Sequence, residues 1–138
     1  MDATVFLREV GRRLHCDEAR AESVTFAVFQ ELRDRLTTKE AADVAAQLPA
    51  RLKRMWLEEE HPDRQVRRVH ADEFIGRVRK RLTLPDDAEA RRGVRAVFAE
   101  LQRLLGSARG LDGESWDVFS QLPKDLKSLW LTSAEEES

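Results

Sequence analysis

The chain carries most of its apolar pattern twice. Phe6, Val10 and Leu14 recur as Phe74, Val78 and Leu82, a shift of 68 residues. Ala27-Val28-Phe29-Gln30-Glu31-Leu32 recurs as Ala96-Val97-Phe98-Ala99-Glu100-Leu101 at a shift of 69, and Gln47-Leu48-Pro49 as Gln121-Leu122-Pro123 at a shift of 74. Both copies close alike, on Leu52, Lys53, Trp56 and Leu57 and on Leu126, Lys127, Trp130 and Leu131. A unit of roughly 60 residues buries only about 60% of its unfolded surface. The two copies are therefore expected to share a core or to dock on one another.

The periodicity inside each copy is helical. Phe6, Val10 and Leu14 fall on one face, with Arg8, Glu9, Arg12 and Arg13 between them. Asp17 is a suitable N-cap for a second helix expected to run to about Leu36 and to bury Val28, Phe29, Leu32 and Leu36. Thr37-Thr38-Lys39-Glu40 reads as a capping box, in which the Glu40 side chain reaches back to the Thr37 amide. An alanine-rich third helix follows. Pro49 then opens a fourth, with Leu52, Met55, Trp56 and Leu57 as its stripe. The second copy lengthens its first turn by one residue, at Leu84-Pro85-Asp86-Asp87, and its second by five, at Gly106–Gly113.

These signatures resemble a bacterial and archaeal family known only as domain of unknown function 2267. The likeness rests on Phe74-x-x-x-Val78-x-x-x-Leu82, on Ala96-Val97-Phe98-x-Glu100-Leu101 and on Gln121-Leu122-Pro123-x-x-Leu126-x-x-Leu129-Trp130. The same pieces stand in the first copy. The resemblance implies an all-helical fold of two similar parts and brings no catalytic residue with it.

The expected architecture is all-α, two tandem four-helix halves packed as one bundle. A first repeat would span 1–60, a basic junction 61–71, a second repeat 72–132 and a disordered acidic tail 133–138. Charged residues make up 36% of the chain, against about 25% in an average domain, which suits many solvated helix faces. The charge is uneven. Residues 1–60 hold 10 Lys/Arg against 12 Asp/Glu, residues 61–81 hold 7 against 3, and residues 82–138 hold 7 against 11. A net charge of −2 gives no global pull towards nucleic acid. A lone cysteine, Cys16, precludes an internal disulfide and fits a reducing compartment. The first residues lack the layout of a signal peptide, and no apolar run reaches the ~20 residues of a membrane span. A bacterial cytoplasmic protein is the expectation, with no membrane partner.

Candidate chemistry is sparse. His15 and Cys16 are adjacent, and neighbours on a helix do not face each other. No Cys-x-x-Cys or His-x-x-x-His is present, so no metal or other cofactor is expected, although His61 and His70 share the junction with Asp63 and Glu73. Glu31 and Glu100 sit in apolar settings in both copies. They read as ion-paired acids, with Arg35 and Arg103 at helical spacing, or as a buried functional pair. Trp56 and Trp130 read as core plugs or as a ligand sandwich.

The strongest functional lead is the basic segment. Arg64, Arg67 and Arg68 would share one face of a helix, and Arg77, Lys80 and Arg81 would line the next helix opposite its apolar stripe. Together they form a candidate anion or nucleic-acid patch. Phe26, whose counterpart is Arg95, and Trp116, whose counterpart is Ala42, are candidate partner contacts. The leading expectation is a non-catalytic module that binds a protein partner or itself. Nucleic-acid association through 64–81 is the alternative, and a small-ligand or enzymatic site between the halves is third.

Overall fold

In a computed structural model, residues 1–106 and 113–134 are described, with side chains except at 113–116. The described residues form eight helices: α1 (Ala3–Leu14), α2 (Glu18–Arg33), α3 (Thr38–Gln47), α4 (Ala50–Leu57), α5 (Ala71–Leu82), α6 (Asp87–Leu105), α7 (Gly113–Gln121) and α8 (Lys124–Ala134). No strand occurs among them. The all-α expectation holds. The glycine-rich stretch at 107–112 and the Glu135–Ser138 tail lie outside the described residues.

Caps follow the sequence closely. Asp2, Asp17, Thr37 and Asp86 each accept from an amide in the first turn of the helix they open. α1 and α5 end in the same left-handed residue, His15 at φ 55° and Thr83 at φ 53°. In each case a 6→1 bond follows, from Cys16 N to Gly11 O and from Leu84 N to Arg79 O. A Cβ on Gly11 would stand 2.8 Å from the Cys16 carbonyl oxygen. The tighter three-residue link between α1 and α2 therefore requires glycine, whereas the longer link after α5 accepts Arg79.

Four local expectations are corrected. α2 ends at Arg33 rather than Leu36, because i→i+3 bonds from Arg35 N and Leu36 N tighten the chain into a turn. Thr37 Oγ1 caps Glu40 N at 3.1 Å, but the Thr37 amide donates to Gln121 Oε1 at 3.1 Å, so Glu40 does not close the box. Leu57 leaves the stripe and is 41% exposed. α8 continues through Ala134 and buries Ser133, so the ordered chain reaches into the segment read as tail.

The buried apolar side chains form one cluster drawn from every helix. Two aromatic trios stand inside it. Phe6 and Phe29 lie 5.9 Å apart, and Phe29 meets Trp56 edge-on at 5.3 Å. Phe74 and Phe98 lie 5.8 Å apart, and Phe98 meets Trp130 at 5.0 Å. Both tryptophans are fully buried, as core plugs are. The long polar residues behind them repeat too. Arg33 Nη1 donates to Trp56 O at 3.0 Å, and Gln102 Nε2 donates to Trp130 O at 2.7 Å. Each ties the end of a short helix to the long one. α2 and α6 pack on each other, α1 lies on α6, and α5 lies on α2.

The trios differ at one atom. Trp56 Nε1 donates to Ala41 O at 2.9 Å, whereas Trp130 Nε1 is buried without a partner. Trp56→Phe gives up a hydrogen bond and Trp130→Phe relieves an unmet donor. We expect Trp130→Phe to be the milder change by about 1–3 kcal/mol, measured by urea unfolding of the two variants.

Candidate functional site

Glu31 and Glu100 are the most deeply buried acids, at 1% and 0% exposure. Each is met at helical spacing as expected, Glu31 by Arg35 at 3.1 Å and Glu100 by Arg103 at 3.2 Å. Each is also met from the other copy. Arg81 Nε donates to Glu31 Oε2 at 2.6 Å, and Arg13 Nε donates to Glu100 Oε2 at 2.7 Å. Arg13 and Arg81 are themselves repeat counterparts, 68 residues apart, so the two contacts are reciprocal. Arg77 Nε adds a third donor to Glu31 at 2.8 Å. Burial pushes the Glu31 carboxyl up, but the Arg81 and Arg77 hydrogen bonds and charges together outweigh it and hold it below 4.5. Both acids act as structural anchors, and Glu31 collects three arginines.

This arrangement divides the basic segment. Residues 61–70 are not helical, so Arg64, Arg67 and Arg68 do not share a helix face. The segment runs as a strap along the end of α2, where Pro62 and the absence of an apolar helical stripe leave side-chain and carbonyl ties to set its path. Arg64 Nε donates to Glu60 Oε1 at 2.6 Å and Nη1 to Leu36 O at 2.8 Å. Arg67 N donates to Asp34 O at 2.9 Å, and Val69 is buried. Arg77 and Arg81 turn back onto Glu31 rather than away from the bundle. Of the six residues in the candidate patch, Arg67, Arg68 and Lys80 are exposed and make no ion pair among the described residues.

Arg35 is the cation that sequence reasoning placed simply as a partner of Glu31. It is 1% exposed. Its Nη2 donates to Glu31 and its guanidinium carbon lies 5.7 Å from the Phe74 ring centre. Its Nε and Nη1 find no acceptor. The only advance signal was its place beside the turn after α2.

Phe26 is half-buried on α2. With Met55 and Leu57 of α4 it lines an open groove whose other walls include Glu22, Arg51, Lys53 and Arg54. Arg51 is engaged by Glu22 and Glu18, while Lys53 and Arg54 make no ion pair among the described residues. The second copy fills the corresponding place differently. Arg95 reaches across to α8, with Nη1 3.2 Å from Thr132 Oγ1 and Nη2 3.3 Å from Thr132 O. The groove is spanned there and open at Phe26. Trp116 falls in α7, its side chain outside the described residues.

The other candidates disperse. His15 takes the left-handed turn and Cys16 is partly buried, with burial, then the Asp17 charge, raising its thiol against Arg20. Such a thiol is a poor nucleophile. His61 and His70 are exposed, and among the described residues no group of three His, Cys, Asp or Glu could hold a metal ion. No described helix is long and apolar enough to cross a membrane.

Residues 3–129 match the family described as "Uncharacterized conserved protein (DUF2267)". Among curated proteins none matches the chain.

A depressed carboxyl pKa stabilises the fold above its ordinary value of 4.5, and that stability is lost as the pH falls through the lowered folded-state value. Glu31→Gln should flatten this acid limb in urea-unfolding series below pH 5. Glu31→Ala should cost about 3–5 kcal/mol at pH 7, because Arg77 and Arg81 can return to water but Arg35 cannot.

Proposed function

The chain belongs to the DUF2267 family, and we propose that it is a non-catalytic helical module that binds a protein partner through the groove between α2 and α4. The observation that supports this reading is the break in the repeat at Phe26. One copy covers the space between its long helix and its last helix with Arg95. The other offers Phe26, Met55 and an exposed Leu57 beside two cations without ion pairs. Apolar side chains rimmed by charge are the common signature of a recognition surface.

The complement of that surface is an amphipathic helix. Its apolar side chains would sit on Phe26, Met55 and Leu57, and its acidic ones would meet Lys53 and Arg54. An aromatic anchor half-sunk in a groove is the usual place for binding energy to concentrate.

The test uses the substitution that the second copy already tolerates. Phe26→Arg should leave the circular dichroism spectrum and unfolding midpoint close to wild type. It should weaken a partner, captured from lysate and then purified, by at least about 10-fold, or ~1.4 kcal/mol. Arg67→Glu should leave that affinity unchanged. A partner held equally by the Phe26→Arg variant would remove the groove from the account.

A further inference from the structure

A second surface lies past the end of α2 and shares no lining residue with the Phe26 groove. Between the strap and the turn ahead of α8 lies a cleft of about 670 Å³ whose walls include Arg35, Thr37, Arg67, Arg68, His70 and Gln121. We infer that this cleft binds a phosphate monoester, the dianionic phosphoryl group carried on a small molecule or on a modified side chain.

Three independent features converge on it. The first is Arg35. Its guanidinium cannot shed its proton, is almost wholly buried, and holds Nε and Nη1 without acceptors. Glu31 does not supply the missing bonds: its oxygens take Arg35 Nη2, Arg77 and Arg81, and neither Arg35 Nε nor Nη1 reaches them. A buried charged donor is satisfied in nearly every native structure, and an anion entering the cleft would be the partner this one lacks.

The second feature is the pair Arg67 and Arg68, exposed on the strap and free of ion pairs among the described residues. Their forked guanidinium groups match the geometry of phosphate oxygens. The third is the meeting of three helix starts. Thr37 is the N-cap of α3, His70 is the N-cap of α5 and makes no side-chain cap, and Pro123 directly precedes α8. Each helix brings the positive end of its dipole to the cleft.

Four carboxylates stand near these helix ends and oppose the ligand's charge: Asp125, Glu40, and Asp72 and Glu73 in the first turn of α5. Asp125 accepts from Ala71 N at 2.7 Å and Leu126 N at 2.9 Å, and lies 3.6 Å from His70 Nδ1. Glu40 lies in the first turn of α3 with Oε2 unpartnered. None of the four lines the cleft. The wall of the cleft itself carries Arg35, Arg67 and Arg68 and, among the described residues, no carboxylate, and the cleft is far larger than inorganic phosphate, leaving room for what the phosphoryl group is attached to. This site is separate from the Phe26 groove and does not depend on it.

The test is an amide and arginine Nε–H NMR titration of the full chain with inorganic phosphate, at pH 7.5 and constant ionic strength, with chloride as the control. Saturable shifts confined to residues 35–38, 66–71 and 121–126 are expected, with affinity at least about 10-fold weaker in the Arg67→Gln/Arg68→Gln variant, ~1.4 kcal/mol. That variant changes only exposed residues. It keeps the test open where Arg35→Gln fails to fold. Phosphoserine and a nucleoside 5′-monophosphate, titrated alongside, tell a modified side chain from a nucleotide by which binds more tightly. Shifts no larger than chloride produces, or shifts unchanged in the double variant, would overturn the site. So would binding of a 5′-hydroxyl oligonucleotide where inorganic phosphate and both monoesters fail.

Discussion

Two carboxylates buried beside the long central helices govern how the rest of this chain is arranged. Glu31 and Glu100 sit in buried stretches of α2 and α6, where an unpaired charge would be untenable. Each is compensated by an arginine three or four residues further along the chain and by one from the helix that the other copy lays against it. Because Arg13 and Arg81 are counterparts in the repeat, the two crossings are mirror contributions to the same seam. Ion pairs of this kind add little net stability over an apolar packing, but they penalise misalignment severely. They join one face of α1 to α6 and one face of α5 to α2. The aromatic trios then fill the space those contacts define.

The seam also decides where positive charge remains. Arg77 and Arg81 belong by sequence to a basic run and by structure to Glu31. Arg64 is likewise held by Glu60 and by the Leu36 carbonyl. What is left on the strap is Arg67 and Arg68, beside Arg35, whose Nε and Nη1 lack acceptors.

The matching segments of the sequence differ where packing allows it. Gly11 and Arg79 occupy equivalent positions with opposite tolerance, because one residue more in the link after α5 removes the close carbonyl. Phe26 and Arg95 differ at the flank of a long helix, one leaving a groove and the other bridging it. Ala41 receives the Trp56 indole, while Trp130 lacks the equivalent acceptor on the far side of the five-residue insertion. The buried trios, the helix ties at Arg33 and Gln102 and the paired acids match in role, because each is enclosed on all sides.

Periodicity and capping chemistry were enough to read the helices, the apolar stripes, the buried tryptophans and the local partners of Glu31 and Glu100, since all of these depend on spacing within a few residues. The Thr37 amide, the strap and the fate of the basic run were not legible in that way. Gln121 reaches Thr37 across 84 positions, Arg81 reaches Glu31 across 50, and the strap takes its path from carbonyls at the end of α2. The sequence by itself determined an all-helical chain with a duplicated apolar pattern, because helix formation and amphipathic burial are local properties of 3.6-residue periodicity. Only the tertiary structure decided which charges neutralise one another and which are left facing a cleft, because that depends on distances between helices that no spacing along the chain records.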